Sequence, residues 1–251
     1  MKIKSAGITD IGKRRQKNED SFLVNDTLSL YLVADGMGGH AGGEFASKIA
    51  VSTIEEVIAS KNETSALKWT YFTPNIIDNP LEQLIMAVNV AGVRIYKFAK
   101  ENPKLKGMGT TITACMIHDT KAYIAHVGDS RLYHITKETI RQVTGDHSLV
   151  SEQIRQGKLT PEEAKNHRLR NVITRSLGIS HISEIDTFTI DLKPDDVLVL
   201  CSDGAYNGLS TEEFHRIFIE HDIEFGVERL ITTAITQDGD DNATCVAIKI
   251  L

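Results

Sequence analysis

The stretch Leu30-Tyr-Leu-Val-Ala-Asp-Gly-Met-Gly-Gly-His40 contains the pattern that decides both the fold and the chemistry of this chain. Its apolar start is typical of a buried β-strand, and it leads directly into Asp35-Gly36. The segment Val197-Leu-Val-Leu-Cys-Ser-Asp-Gly204 has the same arrangement. Asp129 lies in a short turn between two further apolar runs, and Asp241 comes just before another. The sequence therefore predicts carboxylates at the ends of four strands.

The hydrophobic pattern predicts a strand-rich protein with a smaller number of long helices. Strands are expected at residues 3–9, 21–25, 29–34, 110–118, 122–127, 131–136, 185–190, 197–201 and 243–250, and helices at 44–59, 81–99, 211–220 and 224–236. Several strands follow one another through short turns instead of alternating with helices. This order favours antiparallel sheets with helices packed outside them, an α+β class.

The composition indicates one ordinary globular domain spanning residues 1–251. Apolar residues make up 41% and charged residues 25% of the chain, and no linker-like stretch divides it. The pattern weakens between residues 146 and 178 into short helical pieces. We therefore expect a surface flap there.

Charge and cysteine usage exclude several classes of protein. The net charge of -6 argues against a nucleic-acid partner, which needs a basic face. No apolar run has the length of a membrane span, and the amino terminus lacks a signal-like segment, so a cytoplasmic protein without a membrane partner is expected. Cys115, Cys201 and Cys245 each lie in an apolar run, which predicts buried free thiols.

The four aspartates predict a metal site only when they are taken together. A single Asp-Gly pair is a common turn, so each one alone has a structural explanation. Neighbouring strands that bring such carboxylates together raise their pKa values, unless cations lie between them. Oxygen ligands select Mg²⁺, Mn²⁺ or Ca²⁺ over zinc. The run that starts with Asp238-Gly-Asp-Asp-Asn242 lacks the glycine at the sixth position and the later glutamate of a calcium-binding EF-hand loop.

The segment Gly12-Lys-Arg-Arg-Gln-Lys-Asn-Glu-Asp20 combines a basic cluster with two adjacent acids. An arginine fork suits phosphate oxygens, and the acids suit a metal or its waters. A solvated charged loop remains the alternative for this segment by itself.

Six motifs of this kind follow one another along the chain. They are Arg15…Asn18-Glu-Asp20, Asp35-Gly-Met-Gly-Gly-His40 with Gly43-Glu44, Gly109-Thr-Thr111, Val127-Gly-Asp-Ser-Arg131, Cys201-Ser-Asp-Gly204 and Asp241-Asn242. In this order they resemble the metal-dependent protein phosphatases of the PPM group, type 2C, and in particular bacterial-type serine/threonine phosphatases. The resemblance spans residues 9–242, nearly the whole chain.

The resemblance implies a fold and a set of metal ligands. The fold is a four-layer α/β/β/α sandwich with two central antiparallel sheets. Two Mn²⁺ or Mg²⁺ ions are implied, with Asp35 bridging them and Asp203 and Asp241 completing the first site. The backbone carbonyl of Gly36 belongs to the second site. Glu19 and Asp20 lie near it, as ligands or as acceptors for metal-bound water.

Further roles follow from the same resemblance. Asp129, together with Asp203, matches a third and looser ion site of bacterial-type members. Arg15 matches the residue that binds the substrate phosphate, while a metal-bridged hydroxide attacks phosphorus. Met37 occupies the position where many eukaryotic relatives have a histidine general acid, so that role is unassigned. His40 is a candidate for it, with a structural role as the alternative.

The implied activity is hydrolysis of phosphoserine and phosphothreonine in proteins, opposing a serine/threonine kinase, by a monomeric enzyme. An inactive relative that binds phosphopeptides or a kinase is the alternative. A cysteine-dependent phosphatase is excluded, because no cysteine has an arginine six residues later. Two surfaces are considered for substrate recognition: the basic flap residues, with solvated helix faces as the alternative, and the aromatic-containing insertion at 65–79, for which packing of a loop is the favoured interpretation. The flap residues are Arg155, Lys158, Lys165, His167, Arg168, Arg170 and Arg175.

Overall fold

The structure is a computed structural model that describes residues 1–39, 42–60, 78–165 and 167–251. Three sequence predictions lie wholly or partly outside the described residues. They concern His40, the insertion at 65–79 as far as residue 77, with Trp69, Tyr71 and Phe72, and the side chain of Lys165.

The described strands form two antiparallel sheets. The first sheet has the order β1 (Ile3–Asp10), β11 (Ala243–Ile250), β10 (Val197–Cys201), β7 (Arg131–Ile135), β8 (Ile140–Gln142). The second has the order β2 (Asp20–Asn25), β3 (Leu30–Met37), β5 (Ile112–His118), β6 (Lys121–Val127), β9 (Asp186–Asp191), with β4 (Gly109–Thr110) paired to the end of β3.

Long helices cover the outer face of each sheet. The pair α1 (Gly42–Ala59) and α2 (Pro80–Glu101) packs on the second sheet, and α6 (Thr211–Glu220) with α7 (Ile223–Gln237) packs on the first. The short helices are α3 (Leu149–Arg155), α4 (Pro161–Lys165) and α5 (Asp203–Tyr206). The predicted four-layer α/β/β/α sandwich of the α+β class is confirmed.

The alternation of side chains along the strands explains the layers. In β10, Val197 and Val199 pack with α6 and α7, whereas Leu198 and Leu200 face the other sheet. Both sets are fully buried or nearly so. A strand that is apolar on both faces therefore lies between a helical layer and the second sheet.

Local signals predicted the starts of α2, α6 and α7 to within one residue, whereas α1 begins two residues earlier than predicted. Asn79 caps α2 by accepting from two backbone N–H groups, and Pro80 lies in the first turn, where its missing N–H costs nothing. Ser210 and Glu213 form a reciprocal capping box at α6. The three cysteines are buried and free, as predicted.

Two strand predictions need correction. The predicted strand 110–118 is divided into β4 and β5, because the Thr111 N–H leaves the regular ladder and donates to the Asp35 carbonyl oxygen at 2.8 Å. β8 was missed, since its three residues are too few and too exposed to show alternation.

Within the described part of the chain, no helix has both the length and the apolar character needed to cross a membrane.

Candidate metal centre

Strand register brings the predicted acids to one end of the sandwich. Asp20 at the start of β2 is the direct partner of Asp35 near the end of β3. In the other sheet, the end of β10 is paired with the start of β11, which brings Asp203 and Asp241 to the same edge. Asp129 lies in the turn that connects the two sheets, between β6 and β7.

Asp35 differs in one respect from the prediction. The strand was expected to end at Ala34, with Asp35 as the first residue after it. It continues to Met37, because β4 pairs with Gly36 and Met37. The Asp35 backbone is therefore held on both sides, with Asp20 opposite it in β2 and its N–H donating to Thr111 Oγ1 at 2.9 Å.

The acids perturb one another strongly. Loss of solvation raises the pKa of Asp35 well above its ordinary value, and the nearby carboxylates of Asp20, Asp203, Asp129 and Asp241 raise it further. Loss of solvation and the same kind of repulsion raise the pKa of Asp203 to about 8. The pKa values of Asp20 and Asp129 rise to about 6, again mainly through burial. Like charges at this density are stable only when protons or cations compensate them.

Three carboxylate oxygens show that the donor set fits a hard cation. Among the described residues, the Oδ1 atoms of Asp20, Asp129 and Asp203 are buried and accept no hydrogen bond. Buried acceptors are rarely left without partners unless another group binds them. In the described ranges, no group of three or more histidine, cysteine, aspartate or glutamate side chains is arranged so that it could hold a metal ion as it stands. Carboxylate oxygens of this type are donors that suit Mg²⁺ or Mn²⁺.

Two hydroxyl groups orient Asp20. Its Oδ2 accepts from Ser202 Oγ at 2.7 Å and from Thr244 Oγ1 at 2.5 Å, while Oδ1 stays free. The Thr244 N–H donates to Ser202 Oγ, which fixes the position of that hydroxyl. Sequence reasoning assigned no role to Ser202 or Thr244. The available signal was a hydroxyl residue at the end of an otherwise apolar strand.

Gly36 lies at a close approach of two backbones. A Cβ atom at this position would be 2.1 Å from the Gly43 carbonyl oxygen and 2.5 Å from that of Glu19, so only glycine fits. The Gly36 N–H donates to the Glu19 carbonyl oxygen. Asn242 Oδ1 accepts from the Glu19 N–H at 2.9 Å. These contacts place Glu19 beside Asp35 and close to Gly43 in the first turn of α1.

Arg15 and Arg14 reach different acids. Arg15 donates to Asp241 Oδ2 at 2.7 Å, and Arg14 pairs with Asp240 at 2.9 Å. In an extended segment, alternation would place Arg14 and Arg15 on opposite sides. The segment is not extended, because a turn at Gly12, with φ of +79°, redirects the chain before Arg15.

The Asp129 turn is held by residues to which the sequence alone assigned no role. Tyr206 OH donates to the Asp129 carbonyl oxygen at 3.0 Å. The Ser130 hydroxyl shares a hydrogen bond with Thr111, the residue that also contacts Asp35. The His147 ring accepts from the Gly128 N–H at 3.0 Å. The carboxylate of Asp129 is therefore presented by a rigid turn.

The predicted flap contains α3 and α4, but its basic residues do not form one free surface. Arg175 donates to Asp186 at 2.9 Å and pairs with Glu184, and Arg155 donates to the Asp146 carbonyl oxygen. Arg168 and Arg170 are exposed. The predicted basic docking surface is therefore limited to exposed flap residues such as Arg168 and Arg170.

Comparison with known proteins agrees with this arrangement. Residues 12–229 match the family described as Protein phosphatase 2C. The chain is 36% identical over 245 residues to a serine/threonine phosphatase, stp, of Listeria innocua, covering 96% of this chain and 93% of the relative. It is 33% identical over 248 residues to the protein phosphatase PhpP of Streptococcus pneumoniae, covering 97% and 96%.

The chain belongs to the protein phosphatase 2C family. Its structure is also similar to that of the catalytic domain of the serine threonine protein phosphatase PstP, solved in complex with two manganese ions. The TM-score is 0.85 at 30% identity, covering 98% of this chain and 97% of that one. The predicted resemblance to bacterial-type metal-dependent phosphatases is confirmed, and the chain is a phosphatase. The alternative of an inactive relative gains no support from these comparisons.

Proposed function

We propose that this phosphatase 2C protein hydrolyses phosphoserine and phosphothreonine monoesters of proteins, with Mn²⁺ or Mg²⁺ as cofactor. One observation carries the metal part of the proposal. Three buried carboxylate oxygens of Asp20, Asp129 and Asp203 have no hydrogen-bond donor among the described residues, and burial raises the pKa of each of these three groups. Two core ions and a third, looser ion would compensate this charge.

The proposed ligands divide between the two sheets. Asp35 would bridge the two core ions, with Asp203 and Asp241 at the first and the Gly36 carbonyl oxygen at the second. Asp20 and Glu19 would accept hydrogen bonds from water at the second ion or bind it directly. The hydroxyl groups of Ser202 and Thr244 occupy Asp20 Oδ2, which leaves Oδ1 available for this purpose. Asp129 and Asp203 would hold the third ion.

When bound, such ions lower the pKa of water and neutralise charge on the phosphoryl oxygens. Arg15 would bind the substrate phosphate through its planar fork. Its guanidinium now pairs with Asp241, and both side chains are partly exposed, so this exchange of partners disrupts no buried packing. Met37 carries no titratable group, and the acid that protonates the leaving group remains unassigned.

The biological setting is proposed on the same basis. Phosphorylated proteins are the substrates, and a serine/threonine kinase supplies them, since a phosphatase of this type needs an opposing kinase. We further propose a cytoplasmic monomer in which residues 1–251 act as one catalytic domain, without a nucleic-acid or membrane partner. The net charge of -6 supports the absence of nucleic-acid binding.

The direct experiment measures release of phosphate from a phosphothreonine peptide at increasing Mn²⁺ or Mg²⁺. Activity should be lost in excess chelator and return with added ion. A matched peptide carrying phosphotyrosine controls for the predicted specificity. Full activity in chelator would contradict the metal role, and equal turnover of both peptides would contradict the substrate class.

A further inference from the structure

His147 connects the Asp129 turn to the beginning of the flap. It follows β8 and is only 2% exposed. Its backbone N–H donates to the Gly128 carbonyl oxygen at 2.8 Å, and its ring Nδ1 accepts from the Gly128 N–H at 3.0 Å. One residue thus binds both backbone groups of the glycine that precedes Asp129.

The opposite ring nitrogen contacts a different part of the fold. Because Nδ1 accepts from an N–H group, it carries no proton, and the neutral ring has its proton on Nε2. Nε2 lies 3.2 Å from Asp186 Oδ2, at the start of β9. Asp186 also accepts from Arg175 through its other oxygen at 2.9 Å. The ring therefore joins the Asp129 turn to the Asp186–Arg175 pair.

The backbone of His147 holds the two ends of the flap together. Thr174 donates its N–H to the His147 carbonyl oxygen at 2.8 Å, and Leu149 donates to the Val172 carbonyl oxygen at 2.8 Å. The Thr174 hydroxyl donates to Glu152. We call residues 147–152 and 172–175 the flap root.

We propose that His147 is a positioning residue that couples the flap root to the carboxylate of Asp129. Gly128 has a φ of +114°, and a Cβ atom added at this position would lie 2.5 Å from Thr111, so the turn has few allowed conformations. The hydrogen bond from the Gly128 N–H to the His147 ring favours the conformation that is observed. A cation at Asp129 and an ordered flap root should then stabilise each other, because coupling between two sites is reciprocal. This inference rests on the proposed metal role of Asp129.

Two substitutions separate the two bonds of the ring. The Asn side chain places an oxygen at the position of Nδ1, so His147→Asn keeps an acceptor for Gly128 and loses the contact with Asp186. The Gln side chain places an N–H donor at the position of Nε2, so His147→Gln keeps the Asp186 bond and loses that to Gly128. His134→Gln is the matched control, because His134 also binds an aspartate through Nε2, at the far end of β7.

The experiment combines Mn²⁺ calorimetry with hydrogen exchange of peptides from the flap root, in chelator and in Mn²⁺. In the wild type, Mn²⁺ should slow exchange at the flap root. His147→Gln should weaken the weakest Mn²⁺ binding event about 5- to 100-fold, as expected for a lost buried hydrogen bond, and should remove the Mn²⁺-dependent slowing. His147→Asn keeps the bond to Gly128, so it should weaken that binding event less than His147→Gln does, while it speeds flap-root exchange by about 5- to 100-fold. His134→Gln should alter neither.

The outcomes separate this inference from the metal proposal. Asp129→Ala should remove both the weak binding event and the Mn²⁺-dependent slowing. If it does so, but both His147 variants respond to Mn²⁺ as the wild type does, the coupling role of His147 is wrong and the metal role of Asp129 stands. If Asp129→Ala leaves both readouts unchanged, the metal role of Asp129 is wrong and the coupling is overturned with it.

Discussion

Strand β10 has a buried or partly buried aspartate beside each of its ends, and the two have opposite surroundings. Asp196, just before the strand, is 6% exposed, and its Oδ2 accepts from His134 Nε2 at 2.9 Å and from the Lys193 N–H at 3.0 Å. Asp203, just after the strand, has an Oδ1 without a donor among the described residues, and four other carboxylates are nearby.

The two surroundings distinguish a structural buried acid from a functional one. A carboxylate supplied with a histidine and a backbone N–H is satisfied by the fold itself. A buried carboxylate that has an unpaired oxygen and lies among other carboxylates lowers the stability of the fold. Its presence therefore indicates that another ligand binds it. The following predictions test this contrast between the two ends.

The largest effect is expected from Asp203→Asn compared with Asp196→Asn. Loss of a proposed ligand should reduce kcat/KM more than about 100-fold, beyond the range found for groups that only support a ligand. The metal-free protein should be at least as stable as the wild type, because the substitution removes the cost of burying a carboxyl group among other carboxylates, which its raised pKa expresses. Kinetics with a phosphopeptide and urea unfolding in chelator measure the two effects.

Asp196→Asn should show the reverse pattern. The change weakens a buried bond to His134 and should lower the free energy of unfolding by about 1–3 kcal/mol. Activity per folded molecule should stay at the wild-type level. Unfolding of the Asp203 variant, or inactivity of a folded Asp196 variant, would contradict the division between the two ends.

The next effect concerns the arginines that pair with neighbouring acids. Arg15→Ala should lower kcat/KM roughly 10- to 150-fold, the equivalent of a charge-assisted hydrogen bond, mainly through KM. Arg15→Lys should fall between wild type and Arg15→Ala, since lysine restores charge without the fork. Arg14→Ala should have little effect, because its partner Asp240 lies outside the carboxylate cluster. A larger loss for Arg14→Ala would move the phosphate role to Arg14.

A smaller effect is expected from Thr244→Val. This change removes a hydroxyl that donates to Asp20 Oδ2 and leaves Ser202 as the remaining donor. Mn²⁺ affinity at the core sites should fall about 10-fold, the lower part of the range for groups that orient a ligand. Thr9→Val is the control, since Thr9 contacts the Thr244 hydroxyl but not Asp20. Equal affinity losses in both variants would indicate general loosening instead.

Much of the fold could be predicted because its signals are local. Apolar alternation in β3 and β10 and the capping residues of α6 depend on neighbours in sequence, and they gave nearly correct boundaries. The motif order likewise identified the acids that share one end of the sandwich. The partners of those acids were not predictable, because Ser202 and Asp20 are 182 positions apart in sequence and belong to different sheets, which meet only when the sandwich is packed. His147 was missed for the same reason.

The smallest expected effect is on the pH dependence of stability in the metal-free protein, and it again contrasts the two ends. The pKa of Asp203 is raised to about 8 in the folded state, against an ordinary value of 3.8. Between these values the folded protein binds more protons than the unfolded chain, so its stability must fall as pH rises through this window. Because a single carboxyl group binds at most one extra proton in the folded state, its contribution to the slope should stay below about 1.4 kcal/mol per pH unit. Urea unfolding in chelator between pH 6.5 and 8 measures this slope.

Asp203→Asn should flatten the slope, and Asp196→Asn should keep it. Saturating Mn²⁺ should reverse the loss of stability by binding the ionised carboxylates. If stability instead rises with pH in chelator, the carboxylates do not repel one another in the metal-free fold, and the contrast between the two ends of β10 loses its electrostatic basis.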